Sequence, residues 1–559
     1  MKGHFLDDKR YLKGPWQAFE RDFARFLIVR GFDDVRIVGG PGDAGADVLG
    51  VRNGKLWVFQ CKHMITSRPS TKAIKEVVKA KAIYHADKLG IVISLPANKA
   101  IIREIIRYKK IGIDIEIFEP ARVFNIIKDL PEYSNSKKTL WDYQQEASES
   151  FYNSLIESRK AQMIMATGMG KSVIMAEVVA DLFRSQLLKN SRVLITAHTR
   201  EIVRQLHQCF WHQLPIWVHT HQLMGGEFPS YWEGITFATI QSVKERIREL
   251  PTFDLLLIDE AHHVGAATYR DVVNRLEPQM IGGVTATPWR GDRYDIDVLL
   301  GTPCVKIGIA EGLQKGFLSD VDYKLYADNL DWDYVREASN YNYSLSQLNR
   351  KLIIPKRDAE AARIITEIFK KENRRGGIVF SPRIEHAYSF AGHLRHMGFR
   401  AECISSDLPP REQEILMARF RAGNYDFVTT VDLFNEGVDV PDIDMVVFLR
   451  ATHSRRIFVQ QLGRGLRASQ GKDKVIVLDF VSDLRRIAEV IRIDNAIRSN
   501  QIERLGLGKE LIQFSNQGAG NFLRDWMLDQ ADFILREDDP TLKIPDLDFP
   551  EPVSPGTIQ

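Results

Sequence analysis

Between an apolar run, Ala161 to Met165, and a helix-patterned run, Val173 to Leu182, the chain reads Ala166-Thr167-Gly168-Met169-Gly170-Lys171-Ser172. Few folds bring a short buried strand, a Gly-rich turn and a helix opening on a lysine so close together. The arrangement suits an anion: backbone N–H groups of Thr167, Gly168 and Gly170 and of the helix start face one point, and Lys171 adds a compact positive charge. Ser172 supplies a hydroxyl suited to a Mg²⁺ ion travelling with a nucleotide. The loop departs from the full phosphate-loop pattern in one place, since Met165 stands where the first Gly would be.

With 559 residues the chain is too long for one core, and several domains are expected. The 76 Lys and Arg against 73 Asp and Glu leave a net charge of +3, so any nucleic-acid surface has to be local. Cys61, Cys209, Cys304 and Cys403 are widely spaced, which suits reduced thiols in a cytoplasm. There is no apolar run of about 18 residues and no leader-like N-terminal segment, so a cytoplasmic protein without membrane contact is expected.

In chain order, residues 14–30 place Trp16, Phe19, Phe23, Phe26 and Leu27 on one helical face. A strand at Val35–Val38 follows, then a Gly-rich loop leading to Asp47, a hairpin turn at Asn53-Gly54, and a strand ending Gln60-Cys61-Lys62. Alternation puts Gln60 and Lys62 on one face. An acid, an oxygen ligand and a cation are what metal-dependent phosphodiester hydrolysis needs. Asp47, the Gln60 side chain or Cys61 carbonyl, and Lys62 supply them, with Glu20 as a further carboxylate. Polar caps on strand ends account for the same residues.

Phe19-Glu20, the run Gly42 to Asp47 and Val58-Phe59-Gln60-Cys61-Lys62 resemble the Mrr-type restriction endonuclease domain of the PD-(D/E)xK nuclease fold. The resemblance extends over about residues 12–130 and implies DNA cleavage, with Gln60 in place of the middle acid. An inactive domain that only binds DNA is the alternative it leaves.

Past the phosphate loop, apolar strands each end in polar residues: Arg192 to Ala197 before Arg200, Ile235 to Thr239 before Gln241, Leu255 to Asp259-Glu260-Ala261-His262, and Gly283 to Thr285 with Thr287. Alternation with helical stretches predicts a parallel, doubly wound sheet with ligands at the strands' carboxyl ends. There Asp259 is placed to share Mg²⁺ with Ser172, and Glu260 to orient or deprotonate the attacking water.

These motifs resemble a superfamily 2 helicase of the DEAH type, over about residues 138–480. Ser381 with His386, Thr429 to Pro441, and Gln460 to Arg467 resemble motifs of its second RecA-like domain. The resemblance implies ATP and Mg²⁺ as cofactors and DNA, double-stranded or branched, as partner. It assigns Gln144 to the adenine, Lys171 to the β- and γ-phosphates, and Gly437 and Asp439 to the link between nucleotide and nucleic acid. Arg464 and Arg467 resemble arginine fingers, which contribute about 10³–10⁵ in rate. Thr285 and Thr287 resemble the motif coupling hydrolysis to movement. Arg200, Thr239, Gln241, Ser381 and Thr429 are candidate contacts to the strand backbone, sequence-tolerant by nature.

Zinc is not expected from His207, Cys209, His212, His219 and His221, which lack a paired-cysteine spacing. The basic run Arg103 to Lys110 reads as a solvated helix face. The expected architecture is α/β: a restriction-endonuclease-like domain at 1–132, a linker at 133–139, RecA-like parallel-sheet domains at 140–315 and 358–480 joined by a connector at 316–357, and a mostly helical extension with an acidic tail at 481–559. That extension offers a surface for a protein partner or a second copy. The expected function is an ATP-driven DNA helicase or translocase with a nuclease, in defence against foreign DNA or in repair. The alternatives are a motor whose first domain only binds DNA, and a motor subunit serving a separate effector.

Overall fold

A computed structural model describes residues 3–6, 8–38, 45–64, 70–263, 267–286, 296–308, 311–312, 315–326, 342–344, 358–421, 423–431, 443–449, 474–480, 512–513 and 541–543. The chain divides into two compact units, Met1–Met165 with Gly170–Lys306, and Ala166–Met169 with Ile307–Gln559.

The first unit opens with α1 (Asp8–Lys13) and α2 (Trp16–Val29), followed by β1 (Asp33–Ile37), β2 (Val48–Arg52) and β3 (Lys55–Lys62). Next come α3 (Lys72–Tyr84), β4 (Lys88–Ile93), α4 (Lys99–Lys110), β5 (Ile115–Phe118) and α5 (Pro120–Lys128). The five strands lie in sequence order, β1–β2–β3 antiparallel and β3–β4–β5 parallel. Asn53 and Gly54 turn the β2–β3 hairpin with φ of 53° and 69°, both in the left-handed region such a turn requires. Pro15 precedes α2 with its φ already preset, and Gly31 leaves the helix at φ 84°. Phe19, Phe23, Phe26 and Leu27 are fully buried in one apolar cluster with Phe59 and Phe118, each contributing about 1.5–3 kcal/mol. Trp16, at the first helical position, is half exposed and outside that cluster. Helix α4, which carries the basic run, is capped by the Asn98 side chain and buries only Ile101.

That core does not stop at the small sheet, for it takes in Trp211 and Ile216 from the next part of the chain. Helix α2 anchors there through polar groups as well: Arg21 pairs with Glu227, and Arg25 donates to the carbonyls of Val218 (2.6 Å) and Pro215 (3.1 Å). Residues 133–139, read as a linker, are held on both flanks, Ser134 Oγ by the Ile28 carbonyl and Ser136 Oγ by His212 Nδ1.

The motor part of this unit runs α6 (Asp142–Ser158), β6 (Lys160–Met165), α7 (Lys171–Arg184), β7 (Arg192–Ala197), α8 (Arg200–Gln213), β8 (Thr220–Leu223) and β9 (Gly234–Thr239). It continues with α9 (Ile240–Arg246), β10 (Leu255–Asp259), α10 (Ala267–Leu276), β11 (Met280–Thr285), α11 (Asp297–Leu300) and β12 (Pro303–Ile307). The strand order is β12-β6-β11-β10-β7-β9-β8, with parallel pairing from β6 through β8. Helices cover such sheets on both faces, and β7, β9, β10 and β11 accordingly read as near-continuous buried runs.

The second unit holds another seven-stranded parallel sheet, ordered β16-β17-β15-β18-β19-β13-β20. Its strands are β13 (Asp320–Tyr326), β15 (Gly377–Phe380), β16 (Ala401–Cys403), β17 (Phe427–Thr430), β18 (Met445–Phe448), β19 (Lys474–Phe480) and β20 (Ile512–Gln513). Helices α12 (Asp358–Lys371), α13 (Ile384–His396) and α14 (Pro410–Arg421) lie between them in the chain, and β14 (Asn342–Ser344) pairs with β21 (Thr541–Lys543). Strand β13 falls in the segment read as a connector, yet pairs with β19 along seven residues. A strand pattern shows that a segment is extended; partners far along the chain decide which sheet takes it up. Apart from β20 and β21, the extension read as helical lies outside the described residues.

Candidate nucleotide and nuclease sites

Strand β6 ends at Met165 and α7 begins at Lys171, so the phosphate loop is the five residues between them. Gly168 and Gly170 have φ of 91° and 82°, a conformation that costs about 1–2 kcal/mol for residues with a Cβ. At Gly170 a Cβ would also land on the Gln144 amide nitrogen. The Gln144 side chain thus reaches from α6 to the loop: its Oε1 accepts from the Trp141 N–H (3.1 Å), and its Nε2 donates to the Tyr143 hydroxyl (3.3 Å). Lys171 Nζ turns back to donate to the Met165 carbonyl at 3.0 Å, which places the cation over the loop.

Asp259 is the last residue of β10, and its neighbour in register is Val284 of β11. Glu260 follows with φ 51°, an uncommon conformation for a glutamate and one that turns the chain sharply out of the sheet. Glu260 Oε2 lies 3.1 Å from His262 Nδ1, which lies 2.9 Å from Thr285 Oγ1 at the end of β11. His262 and Thr285 are fully buried, so these residues join the ends of two adjacent strands by direct contact. Thr287, Gly437, Asp439, Arg464 and Arg467 lie outside the described residues.

Among the strand-contact candidates, Arg200 and Gln241 are exposed at the starts of α8 and α9. Pairing of Ala197 with Thr239 sets those helix starts side by side. The Thr239 hydroxyl caps α9 by accepting from the Ser242 N–H (3.2 Å). Ser381 and Thr429 are fully buried, and Thr429 Oγ1 donates to the Ala387 carbonyl at 2.8 Å. These two side chains therefore face the interior of the second sheet.

In the small domain, Asp47 is buried and its carboxylate accepts from the Cys61 N–H (2.6 Å) and from the Gln60 amide. Gln60 Oε1 is buried without a hydrogen-bond partner. A buried orphan oxygen beside a carboxylate is a fitting half-shell for a hard divalent cation. Burial pushes the Cys61 thiol pKa well up; Asp47 and then Glu20 add to the shift and Lys62 opposes it, so all three charges act at this one point. Lys62 Nζ pairs with Glu76 of α3 at 2.8 Å. Glu76 escapes a reading by motif, because its partner lies on another strand. Among the described residues no three His, Cys, Asp or Glu side chains converge as a metal-binding group. The five histidine and cysteine positions weighed for zinc hold ordinary contacts instead, such as His207 with Gln222 and His221 with the Glu233 carbonyl.

A phosphate loop and an acidic strand end on one parallel sheet, a second parallel sheet, and a preceding mixed sheet with Asp47, Gln60 and Lys62 define a two-sheet motor joined to a nuclease-like domain. Known families agree. The model described as "Type III restriction enzyme, res subunit" matches residues 137–290, that of the helicase conserved C-terminal domain matches 360–469, and that of a restriction endonuclease, of the Mrr type, matches 12–105. The chain carries a superfamily 2 helicase core preceded by an Mrr-type restriction endonuclease domain. It is 24% identical over 363 residues to the putative ATP-dependent helicase IRC3 of Saccharomyces cerevisiae, covering 62% of this chain and 52% of the yeast protein. It is 26% identical to the DNA 3'-5' translocase XPB2 of Sulfurisphaera tokodaii, over 63% of this chain and 84% of that protein. The fold resembles that of the DNA-bound ATP-dependent Type ISP restriction-modification enzyme LlaBIII, with a TM-score of 0.51 at 17% identity over 95% of this chain and 42% of that one. The matches span between half and two thirds of the first curated relatives, 52%, 63% and 58%. Among the described residues no helix is long and apolar enough to cross a membrane.

Proposed function

We propose that this protein is an ATP-driven DNA helicase or translocase that carries a divalent-metal-dependent DNA endonuclease and acts in defence against foreign DNA. The observation that carries the motor reading is the order β6-β11-β10: parallel strands, one apart, deliver Lys171 and Ser172 and then Asp259 and Glu260 to the same carboxyl edge. There Lys171 neutralises the β- and γ-phosphates, Ser172 and Asp259 hold Mg²⁺, and Glu260 orients the attacking water. Gln144, fixed by the Trp141 N–H beside Gly170, reads the adenine. His262 transmits the state of Glu260 to Thr285 and so to the end of β11. Arg200 and Gln241 hold a strand by its backbone, which makes the motor tolerant of sequence.

In the nuclease domain Asp47 and Gln60 Oε1 would hold the cation, with Glu20 as a nearby negative charge and Lys62 facing the scissile phosphate. When bound, such an ion polarises the phosphate and lowers the pKa of a water. A second reading, that this domain binds DNA without cutting it, is favoured by the neutrality of Gln60 and by the absence of a three-ligand acidic cluster among the described residues.

Plasmid, forked and single-stranded DNA, incubated with Mg²⁺ with and without ATP, separate these readings. Wild type is expected to cut and to hydrolyse ATP; Lys62→Ala abolishes cutting alone, and Lys171→Ala abolishes hydrolysis. Hydrolysis by Lys171→Ala would overturn the motor reading. Cutting that survives both Lys62→Ala and Asp47→Ala would overturn the nuclease reading, and no cutting by wild type would favour DNA binding alone.

A further inference from the structure

We propose that Glu76 is a positioning residue of the nuclease site, holding Lys62 away from Asp47 so that the Asp47 and Gln60 oxygens stay open to a divalent cation. The proposal rests on the nuclease reading. Lys62 ends β3 on a flexible four-carbon stem, and its Nζ meets Glu76 Oε2 at 2.8 Å with both side chains about 30% and 26% exposed. At that depth the pair is less screened by salt than a surface pair would be. The backbone of Glu76 is fixed too. Gly45, at φ 84°, lies so close to α3 that a Cβ there would land on the Glu76 carbonyl oxygen. Gly45 leads directly into Asp47, so the loop carrying the acid and the strand end carrying the cation are both referenced to one residue. Helix α3 is in turn seated on the sheet by Ala73, Ile74, Val77 and Ala80.

The site's charges explain why this is needed. With Gln60 neutral, Asp47 is the acid between the two strands, and Asp47 and Lys62 both act on the Cys61 thiol. Without Glu76, Asp47 becomes the natural anion for Lys62 to approach, and a lysine on Asp47 competes with a metal for the same oxygens. Glu76 takes up that charge, leaving the Asp47 carboxylate to the Gln60 amide and the Cys61 N–H. Glu76 never touches the reacting atoms; it acts through Lys62.

The test uses the full-length protein with Glu76→Ala, Glu76→Gln and Lys62→Ala, first checked for wild-type urea unfolding. Cleavage of plasmid is followed against Mg²⁺ and DNA concentration. Glu76→Ala is expected to lower kcat about tenfold, in line with the sensitivity of such sites to ångström-scale misplacement. It should also raise the Mg²⁺ concentration for half-maximal rate several-fold, with KM for DNA unchanged. Glu76→Gln, which keeps the shape and a hydrogen-bond acceptor, should recover part of the rate. An unchanged kcat and Mg²⁺ requirement in Glu76→Ala, beside an inactive Lys62→Ala, would overturn the proposal. Acetic anhydride labelling of Lys62, read by peptide mass spectrometry, needs no activity: it should be several-fold faster in Glu76→Ala, and equal rates overturn the proposal. If wild type cuts no DNA, the nuclease reading fails while the labelling still reports on the Glu76–Lys62 contact.

Discussion

Arg25 of the nuclease-like domain donates to the main-chain carbonyl of Val218 in the motor domain at 2.6 Å, and the guanidinium is 1% exposed. Its second nitrogen serves Pro215, and its plane lies 4.1 Å from the centroid of Phe5, whose N–H donates to Ile216. The helix that carries Glu20 is therefore fastened to the motor by the residues that follow it. Arg25→Ala leaves two carbonyls without their donor and is expected to cost about 3 kcal/mol. Urea unfolding should show a lower midpoint, and Arg25→Lys should not restore it, since a point charge cannot reproduce the two-pronged fork.

Gly170→Ala combines a left-handed backbone with a Cβ on the Gln144 amide. Titration with a fluorescent ATP analogue should show a Kd raised about tenfold or more, corresponding to the roughly 1–2 kcal/mol of strain. Affinity equal to wild type would mean that the loop is not where the nucleotide sits.

His262→Ala removes the group between Glu260 and Thr285. Steady-state ATPase assays on DNA are expected to give kcat reduced about tenfold through a misplaced Glu260, with KM for ATP within about twofold. A large rise in KM alone would contradict the role given to this contact.

Gln60→Glu restores an acid beside Asp47. In metal-free buffer the two buried carboxylates repel, so the midpoint of thermal unfolding should fall. Added Mg²⁺ or Mn²⁺ should then raise it by more than in wild type, because binding to the folded state stabilises it in proportion to affinity. No difference in metal response would remove Gln60 from the metal site.

Burial, helped by Lys138, holds the His212 imidazole down at about 4, below its usual 6.5. The neutral ring accepts from Ser136 Oγ at 2.7 Å. The unfolded chain therefore takes up this proton first as pH falls. The contribution is fully present above pH 6.5 and is lost between 6.5 and 4, at most about 3 kcal/mol. Urea midpoints at pH 7.5 and 5 should differ less in His212→Gln than in wild type.

Much of the motor was legible from the chain alone because its chemistry sits on consecutive residues. A buried strand followed by Gly168, Gly170, Lys171 and Ser172 has few conformations open to it, and Asp259-Glu260 after four apolar residues can only be a strand end. Asn53-Gly54 dictated the β2–β3 hairpin for the same local reason, two adjacent positive φ angles. Local patterns were less informative where burial decides: Thr429 and Ser381 carry hydroxyls suited to a strand backbone, yet both lie inside the second sheet.

By itself the sequence determined the elements, their order and the residues that close short loops, since propensity, spacing and backbone freedom act over a few residues. Only the tertiary structure decided that α2 packs on Trp211 and Ile216, that β13 joins β19, and that Lys62 meets Glu76 rather than Asp47. Each of these depends on residues far apart in the chain sharing one buried place. Whether an apolar face or a charge is satisfied there is settled by packing and desolvation, which no local pattern encodes.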